Sequence, residues 1–421
     1  MTDIQELREM VNPVFNTARS CVQLHAAAGD EDAQRLLDAM GFESFGEHLK
    51  DRPASPELAE QVRRLTPAYM LLTEARFKTM NELIESGDAR QVVDLPCGYT
   101  PRGVLMHRLG RTYFGLDLPA VIDAIAPATR AVIGVEDADI RYRAVDATNY
   151  DSLEAAVADA TGELLIVTEG LLMYFMQQEL EEVFSNIRRL LSRHGGSWVI
   201  ADRAFSLHDQ HIASAALGHD PAMVAFYKAV TARAASSAAD VTLGKNVMFD
   251  PDEDKAVSFV RDMGFELREV CCYDYLPREC GALRGVPERD EDVREAFRDV
   301  FFWELTVASA VDAREHHRQT FSAKAKVAGR VLDIALTGRL DTLTAPDLLD
   351  LYRGCEQGSY DRIVLDFADL DYISSAGIRV LMMMVKATGE GGVRVAHARP
   401  NVREAIDMTG LGEFLTAWEE G

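Results

Sequence analysis

The sequence predicts a mixed α/β chain with two domains: a larger, mostly parallel sheet with helices on both faces, followed by a small α/β domain. Three observations carry this. The chain has 421 residues, too many for one ordinary core. Between residues 91 and 201, short apolar runs alternate with helical stretches. After a polar stretch at 309–323, an independent strand-and-helix pattern starts at Lys324.

Taken in order, residues 1–90 read as helical, with apolar positions at helical spacing in Leu7–Val22 and Ala33–Met40. A turn-rich stretch at Asp51–Pro56 precedes a helix expected at Pro67–Ser86. Strands are expected at Gln91–Leu95, Thr112–Leu116, Arg141–Val145, Leu164–Val167 and Ser197–Ala201. A helix is expected from Leu171 through Gln177 to Leu191. Residues 204–248 read as a helical insertion, the kind that builds a lid or substrate wall. A helix at Asp252–Met263 and strands at Phe265–Tyr273 and Phe301–Ala308 complete the first domain. In the second, Lys326–Val331 and Asp333–Thr337 alternate like a hairpin. Helices at Thr344–Cys355, Ser375–Lys386 and Arg399–Met408 then alternate with strands at Arg362–Phe367 and Gly392–Ala396.

The formal charge of −24 disfavours nucleic acid and anionic membrane surfaces. From Lys324 onward there are 11 basic and 15 acidic residues, a balance of −4, which leaves −20 on the first 323 residues. No apolar run approaches the roughly 20 residues of a spanning helix. The acidic start (Met1–Glu6) lacks an apolar signal core, so a cytoplasmic protein without a secretory leader is expected. No histidine stands at zinc spacing from Cys271, Cys272 and Cys280, so the six cysteines read as reduced thiols and no metal site is expected.

Four strand ends carry the chemistry. They are Asp94-Leu95-Pro96-Cys97-Gly98, Gly115-Leu116-Asp117, Val145-Asp146-Ala147 and Thr168-Glu169-Gly170. In an open α/β sheet, ligands bind outside the carboxyl ends of the strands. Asp117 follows Gly98 by about 20 residues, a spacing that suits a carboxylate gripping ribose hydroxyls. There is no GxGxxG and no GxxxxGK[ST], so neither a pyrophosphate nor a triphosphate has a cradle. Acids at strand ends favour a ligand with hydroxyls, an amine and a positive centre. S-adenosylmethionine has all three.

On Glu169-Gly170-Leu171-Leu172-Met173-Tyr174, with support from Gly115–Pro119, Asp146 and Glu74-Ala75-Arg76-Phe77, residues 66–310 resemble the leucine carboxyl methyltransferase-like family. These are class I S-adenosylmethionine-dependent O-methyltransferases with a Rossmann-like fold. The resemblance implies that Arg76 pairs with the cofactor carboxylate and Gly98 lies against its methionine part. It further implies that Asp117 holds the ribose, Asp146-Ala147 contacts adenine, and Glu169-Gly170 sits near the amino end. The chain departs from the family's glycine loop at Pro96, Cys97 and Thr100. A carboxylate acceptor needs no general base, whereas a hydroxyl acceptor does. Asp202, His208 and His211 are the candidate bases, and each also reads as a surface or pocket-rim residue. Tyr174 reads equally as acceptor-pocket lining and as a half-buried helix residue. Residues 1–65 form a helical extension with no recognised family counterpart, expected to cover the site or to form a dimer contact.

Residues 311–323 read as a linker and 324–421 as the second domain. Its strand Ile363–Phe367 leads through Leu370-Asp371-Tyr372-Ile373 to Ser374-Ser375-Ala376-Gly377 at a helix start. Serine there caps a helix, whatever else it does. This segment resembles the signature of STAS domains, the anti-sigma-factor antagonist family. The resemblance implies phosphorylation at Ser375, with Ser374 as alternative, by an anti-sigma factor that is also a serine kinase. Two functions stay open at this stage. One is an O-methyltransferase acting on a small-molecule acceptor and regulated by its STAS domain. The other is an antagonist-type regulatory protein whose methyltransferase fold is degenerate or only senses the cofactor.

Overall fold

The computed structural model describes residues 13–45, 56–237, 246–308, 321–340, 344–355, 360–389, 392–407 and 411–419. The expected helix start at Leu7, the turn at 51–55, most of the linker (309–320) and residues 408–410 lie outside them. The chain divides into two compact units, residues 1–256 with 267–306, and residues 257–266 with 307–421.

The larger unit begins with helices α1 (Pro13–Ala27), α2 (Glu31–Met40) and α3 (Pro56–Ser86). Asp30 caps α2 through the backbone N–H groups of Asp32 and Ala33. Next come β1 (Gln91–Asp94), α4 (Arg102–Leu109), β2 (Thr112–Asp117), α5 (Pro119–Ile133), β3 (Ile140–Ala144), α6 (Tyr150–Ala156) and β4 (Leu164–Thr168). They are followed along the chain by α7 (Gln177–His194), β5 (Gly196–Ile200), α8 (Asp202–Ala216), α9 (Pro221–Ser237), α10 (Glu253–Asp262, of which 257–262 group with the smaller unit), β6 (Phe265–Cys271), α11 (Asp290–Ala296) and β7 (Phe301–Val307). The seven strands form one sheet in the order β3-β2-β1-β4-β5-β7-β6. β1 lies parallel to β2 and β4, and β7 runs antiparallel to its neighbour β5. β1 is buried along its whole length, and so are the last three residues of β4, as strands covered on both faces must be.

Two expectations change here. The helix expected to begin at Pro67 begins at Pro56 and carries that proline inside. The ring removes one N–H, but Ala68, Leu71, Ala75, Met80 and Ile84 are fully buried beyond it, and that burial outweighs one lost bond. The helix expected from Leu171 is instead a 3-10 turn, Leu172–Tyr174, with α7 starting at Gln177. Met176 is extended, and its N–H donates to the Glu179 carboxylate at 2.9 Å, which closes the new helix start.

The smaller unit holds β8 (Phe321–Ala328), β9 (Val331–Leu340), α12 (Ala345–Cys355), β10 (Arg362–Ile373), α13 (Ser375–Thr388), β11 (Val393–Ala396), α14 (Pro400–Asp407) and β12 (Thr416–Glu419). The sheet order is β12-β11-β10-β9-β8, parallel except for the β8–β9 hairpin. That hairpin turns at Gly329-Arg330, inside the run expected as its first strand, because Gly329 takes a φ of +64°. β8 begins at Phe321, within the stretch expected as linker. β10 runs six residues past the expected Phe367 through two register shifts. β12 was not foreseen. Among the described residues, no helix is long and apolar enough to cross a membrane.

The N-terminal helices are built into the larger core. Val22, Leu24, Ala33, Leu36 and Leu37 are buried in the same cluster as Leu71, Val92 and Val199. Glu74 of α3, buried in that region, accepts the N–H groups of Gly281 (2.6 Å) and Ala282 (2.8 Å). A Cβ on Gly281 would stand 1.7 Å from the backbone oxygen of Ala28. Gly281→Ala is therefore expected to destabilise the larger unit by about 1–3 kcal/mol, read as a lowered urea midpoint. An unchanged midpoint would contradict this close approach.

Candidate active site on the carboxyl edge of the large sheet

The order β3-β2-β1-β4 sets the four acid-bearing strand ends side by side, so the sheet itself assembles the residues singled out in the sequence. Arg102, the first residue of α4, is the buried centre of this edge, with its side chain 1% exposed. Its Nε donates to Asn81 Oδ1 at 2.8 Å and its Nη1 to Asp94 Oδ1 at 2.8 Å, while Nη2 binds Glu169 Oε1. The guanidinium also lies over the Phe77 ring, 4.9 Å from its centroid. The other Asp94 oxygen accepts the Tyr113 hydroxyl at 2.8 Å. Burial pushes the Asp94 carboxyl up to about 6 against the pull of Arg102. Burial alone would lower Arg102, but Asp94 and Glu169 hold it above its ordinary value.

Glu169 faces two arginines. Its Oε1 is held by Arg102, and its Oε2 lies 3.4 Å from Arg76 Nε. That nitrogen is buried and makes no hydrogen bond. Arg76 Nη2 lies 3.9 Å from where a Cβ would stand on Gly170, which has a φ of +74°. Glycine suits the turn because of that left-handed backbone, and a side chain there would only touch the guanidinium.

At the neighbouring loop, the Gly98 N–H donates to Asp117 Oδ2 at 2.8 Å and the Leu118 N–H to Oδ1 at 2.7 Å. Burial raises Asp117 to about 6, although both backbone bonds favour its charged form. The residues flanking Pro96 spend their N–H groups on the sheet, Leu95 on Val167 O and Cys97 on Leu116 O. Cys97 is buried, and burial pushes its thiol well above the usual range. Asp146 is exposed and accepts Thr148 N–H at 2.9 Å, while Ala147 is buried and its carbonyl accepts Asn186 Nδ2 at 3.1 Å.

Helix α1 lies over this edge. Ala18 Cβ is 4.0 Å from the Cβ position of Gly98. His25 stacks on Phe77 at 4.5 Å. Burial, with Arg76, Arg102 and Lys78 nearby, pushes His25 down to about 3, so it is neutral. Phe42, just after α2, meets Tyr99 edge-on at 5.1 Å.

The other candidates are placed differently. Asp202 is buried, and its Oδ1 accepts the N–H groups of Leu171 (2.7 Å) and Leu172 (2.8 Å), which shapes the turn after Gly170. His208 Nδ1 lies 2.8 Å from the Ala204 carbonyl one turn back in α8, and His211 is exposed. Tyr174 is half-buried on the 3-10 turn. Sequence reasoning assigned no role to Asp94, Asn81, Phe77, Tyr113 or His25. Asp94 stood in a quoted motif, but its partner Arg102 is what gives it a task.

In the smaller unit, Ser374 caps α13, its buried side chain accepting the Gly377 N–H at 3.4 Å. The Ser375 side chain lies outside the described residues. A Cβ on Gly377 would come within 2.9 Å of the Leu340 backbone oxygen, so glycine lets the helix start dock on β9.

The raised Asp117 has a consequence for stability. A carboxyl that is raised in the folded state contributes stability that is complete below about 4 and is lost as pH rises through about 6. Between pH 7 and pH 5, the wild-type chain should gain roughly 1 kcal/mol of unfolding free energy relative to Asp117→Asn. Urea titrations at both pH values check this, and parallel curves would refute it.

Residues 12–188 match the family described as leucine carboxyl methyltransferase, and residues 324–416 match the one described as Mlab, STAS domain. The first match takes in α1 and α2, for which the sequence alone offered no counterpart. An O-methyltransferase family protein from Burkholderia thailandensis is 16% identical, with a TM-score of 0.31, over 67% of this chain and 73% of its own. An anti-sigma factor antagonist from Mycobacterium paratuberculosis is 22% identical, with a TM-score of 0.23, over 24% of this chain and 87% of its own. The "Putative anti-sigma factor antagonist BtrV" of Bordetella bronchiseptica is 41% identical over 52 residues, 12% of this chain. The chain spans 45% of that relative's length, about half. The chain thus carries a match to the leucine carboxyl methyltransferase family over residues 12–188 and a match to the STAS domain over residues 324–416.

Proposed function

We propose that the larger unit is an S-adenosylmethionine-dependent O-methyltransferase whose output or partner binding is set by the STAS domain. The observation that carries this is the Arg76–Glu169 pair beside Gly170, on the edge that also holds Gly98 and Asp117. A buried guanidinium nitrogen without a hydrogen bond, next to a carboxylate, fits the carboxylate and ammonium of an amino-acid end. Arg76 would take the carboxylate and Glu169-Gly170 the amino end. Gly98 would lie against the methionine part, Asp117 on the ribose, and Asp146-Ala147 on adenine. When bound, the cofactor supplies a methyl group on a sulfonium. The chain's own residues position the acceptor and keep water out.

Asp202 commits its Oδ1 to the Leu171 and Leu172 N–H groups, and a carboxylate acceptor would need no base at all. The acceptor is a small-molecule carboxylate or a hydroxyl, with Tyr174 lining its side and, for a hydroxyl, Asp202, His208 or His211 as the candidate bases. The Pro96-Cys97 departure favours a second reading, a regulatory protein whose methyltransferase fold is degenerate or only senses the cofactor. Calorimetry separates the two. Binding of S-adenosylmethionine that Asp117→Ala abolishes is the expected result. No heat at millimolar ligand would leave only the regulatory reading.

At the STAS domain, the proposed partner is an anti-sigma factor with serine kinase activity, acting on Ser375, or on Ser374 as the alternative. Phosphate adds nearly two negative charges to the start of a helix and so changes the docking surface. Ser375→Asp should abolish capture of such a kinase by the full-length chain. Undiminished capture would move the switch to another residue.

A further inference from the structure

Glu169 is held unequally by its two arginines. On one side, Arg102 is buried and engages three acceptors on three different elements, α3, β1 and the end of β4. On the other, Arg76 stands at 3.4 Å with its Nε unbonded, longer than a good charge-assisted hydrogen bond. If one of the two contacts opens, it is the one to Arg76.

We propose that Arg102 is a positioning residue for recognition of a zwitterionic amino-acid end, and that the Arg76–Glu169 pair is an internal substitute for that zwitterion. Arg76 exchanges Glu169 for an incoming carboxylate. Glu169 exchanges Arg76 for an ammonium. Arg102 keeps one oxygen of Glu169 fixed throughout, so the other stays aimed at the same place. Without Arg102, Glu169 would turn both oxygens to Arg76 in a bidentate pair and close the site. Lysine cannot stand in, because a single ammonium does not reproduce the planar fork that reaches Asn81, Asp94 and Glu169 together. The inference rests on the S-adenosylmethionine reading, and it adds which residue makes the amino-acid end count.

The test uses two ligands and the full-length chain. S-adenosylhomocysteine carries the amino-acid end, whereas 5′-methylthioadenosine has the same nucleoside without it. In calorimetry, Arg102→Lys should weaken S-adenosylhomocysteine by about 10- to 100-fold, the worth of one charge-assisted hydrogen bond. It should leave 5′-methylthioadenosine within about twofold. Equal weakening of both ligands, or of neither, overturns the proposal. If Arg102→Lys fails to fold by circular dichroism, Asn81→Ala removes only the Nε anchor. It should show the same selectivity at about 3- to 10-fold, and a non-selective loss overturns the proposal equally. If wild-type binds neither ligand, the cofactor reading itself falls. If wild-type binds both and the variants do not discriminate, only the role of Arg102 falls.

Discussion

The carboxyl edge of the large sheet depends on one guanidinium removed from water. A charge buried as completely as Arg102 is costly unless it meets opposite charge and its donors are used. Two carboxylates and one amide meet that demand here, and they come from α3, β1 and the strand end after β4. The interaction therefore fixes three elements relative to one another at the point where ligands of such sheets bind. With Arg76 added, Asp94, Arg102, Glu169 and Arg76 form a chain of alternating sign whose formal charge sums to zero. Taking out Arg102 would leave Asp94 without a counter-charge in a dry site, a far larger disturbance than the loss of a surface ion pair.

The roof above the network follows from the same logic. Ala18 and His25 present one small and one neutral side chain to a region dense in charge. A protonated histidine beside Arg76 and Arg102 would add like charge, so burial and the two guanidiniums keep the ring uncharged. At Ala18 and His25, helix α1 therefore meets the edge without adding charge. Its apolar face, with Val22 and Leu24, is part of the main core rather than an appendage, in line with a family match that starts at residue 12.

Much of this was legible in the sequence, and the limits were physical. All seven strands of the large sheet announced themselves, the central β1 and β4 most clearly, because strands covered on both faces must be apolar. The acids at the strand ends were legible because the edge of such a sheet is a known place for ligands. Arg102 as a hub was not, since Asn81 and Glu169 stand 21 residues before and 67 after it, and no local pattern encodes such a meeting. The start expected at Pro67 came too late, because the buried face of α3 continues through that proline. The turn at Gly329-Arg330 went unseen because alternation continued on both sides of it.

The capping geometry of α13 bears on which serine a kinase would modify. Ser374 already spends its hydroxyl oxygen on the Gly377 N–H, at the position where serine is worth roughly 1 kcal/mol to a helix. It is also buried, so a phosphoryl group there would require the helix start to open. Ser375 is the first residue within the helix, and modifying it leaves that cap in place. It would add charge where the helix dipole favours negative groups. A kinase acting on Ser374 would thus have to break the cap, a cost that the proposed site at Ser375 would avoid.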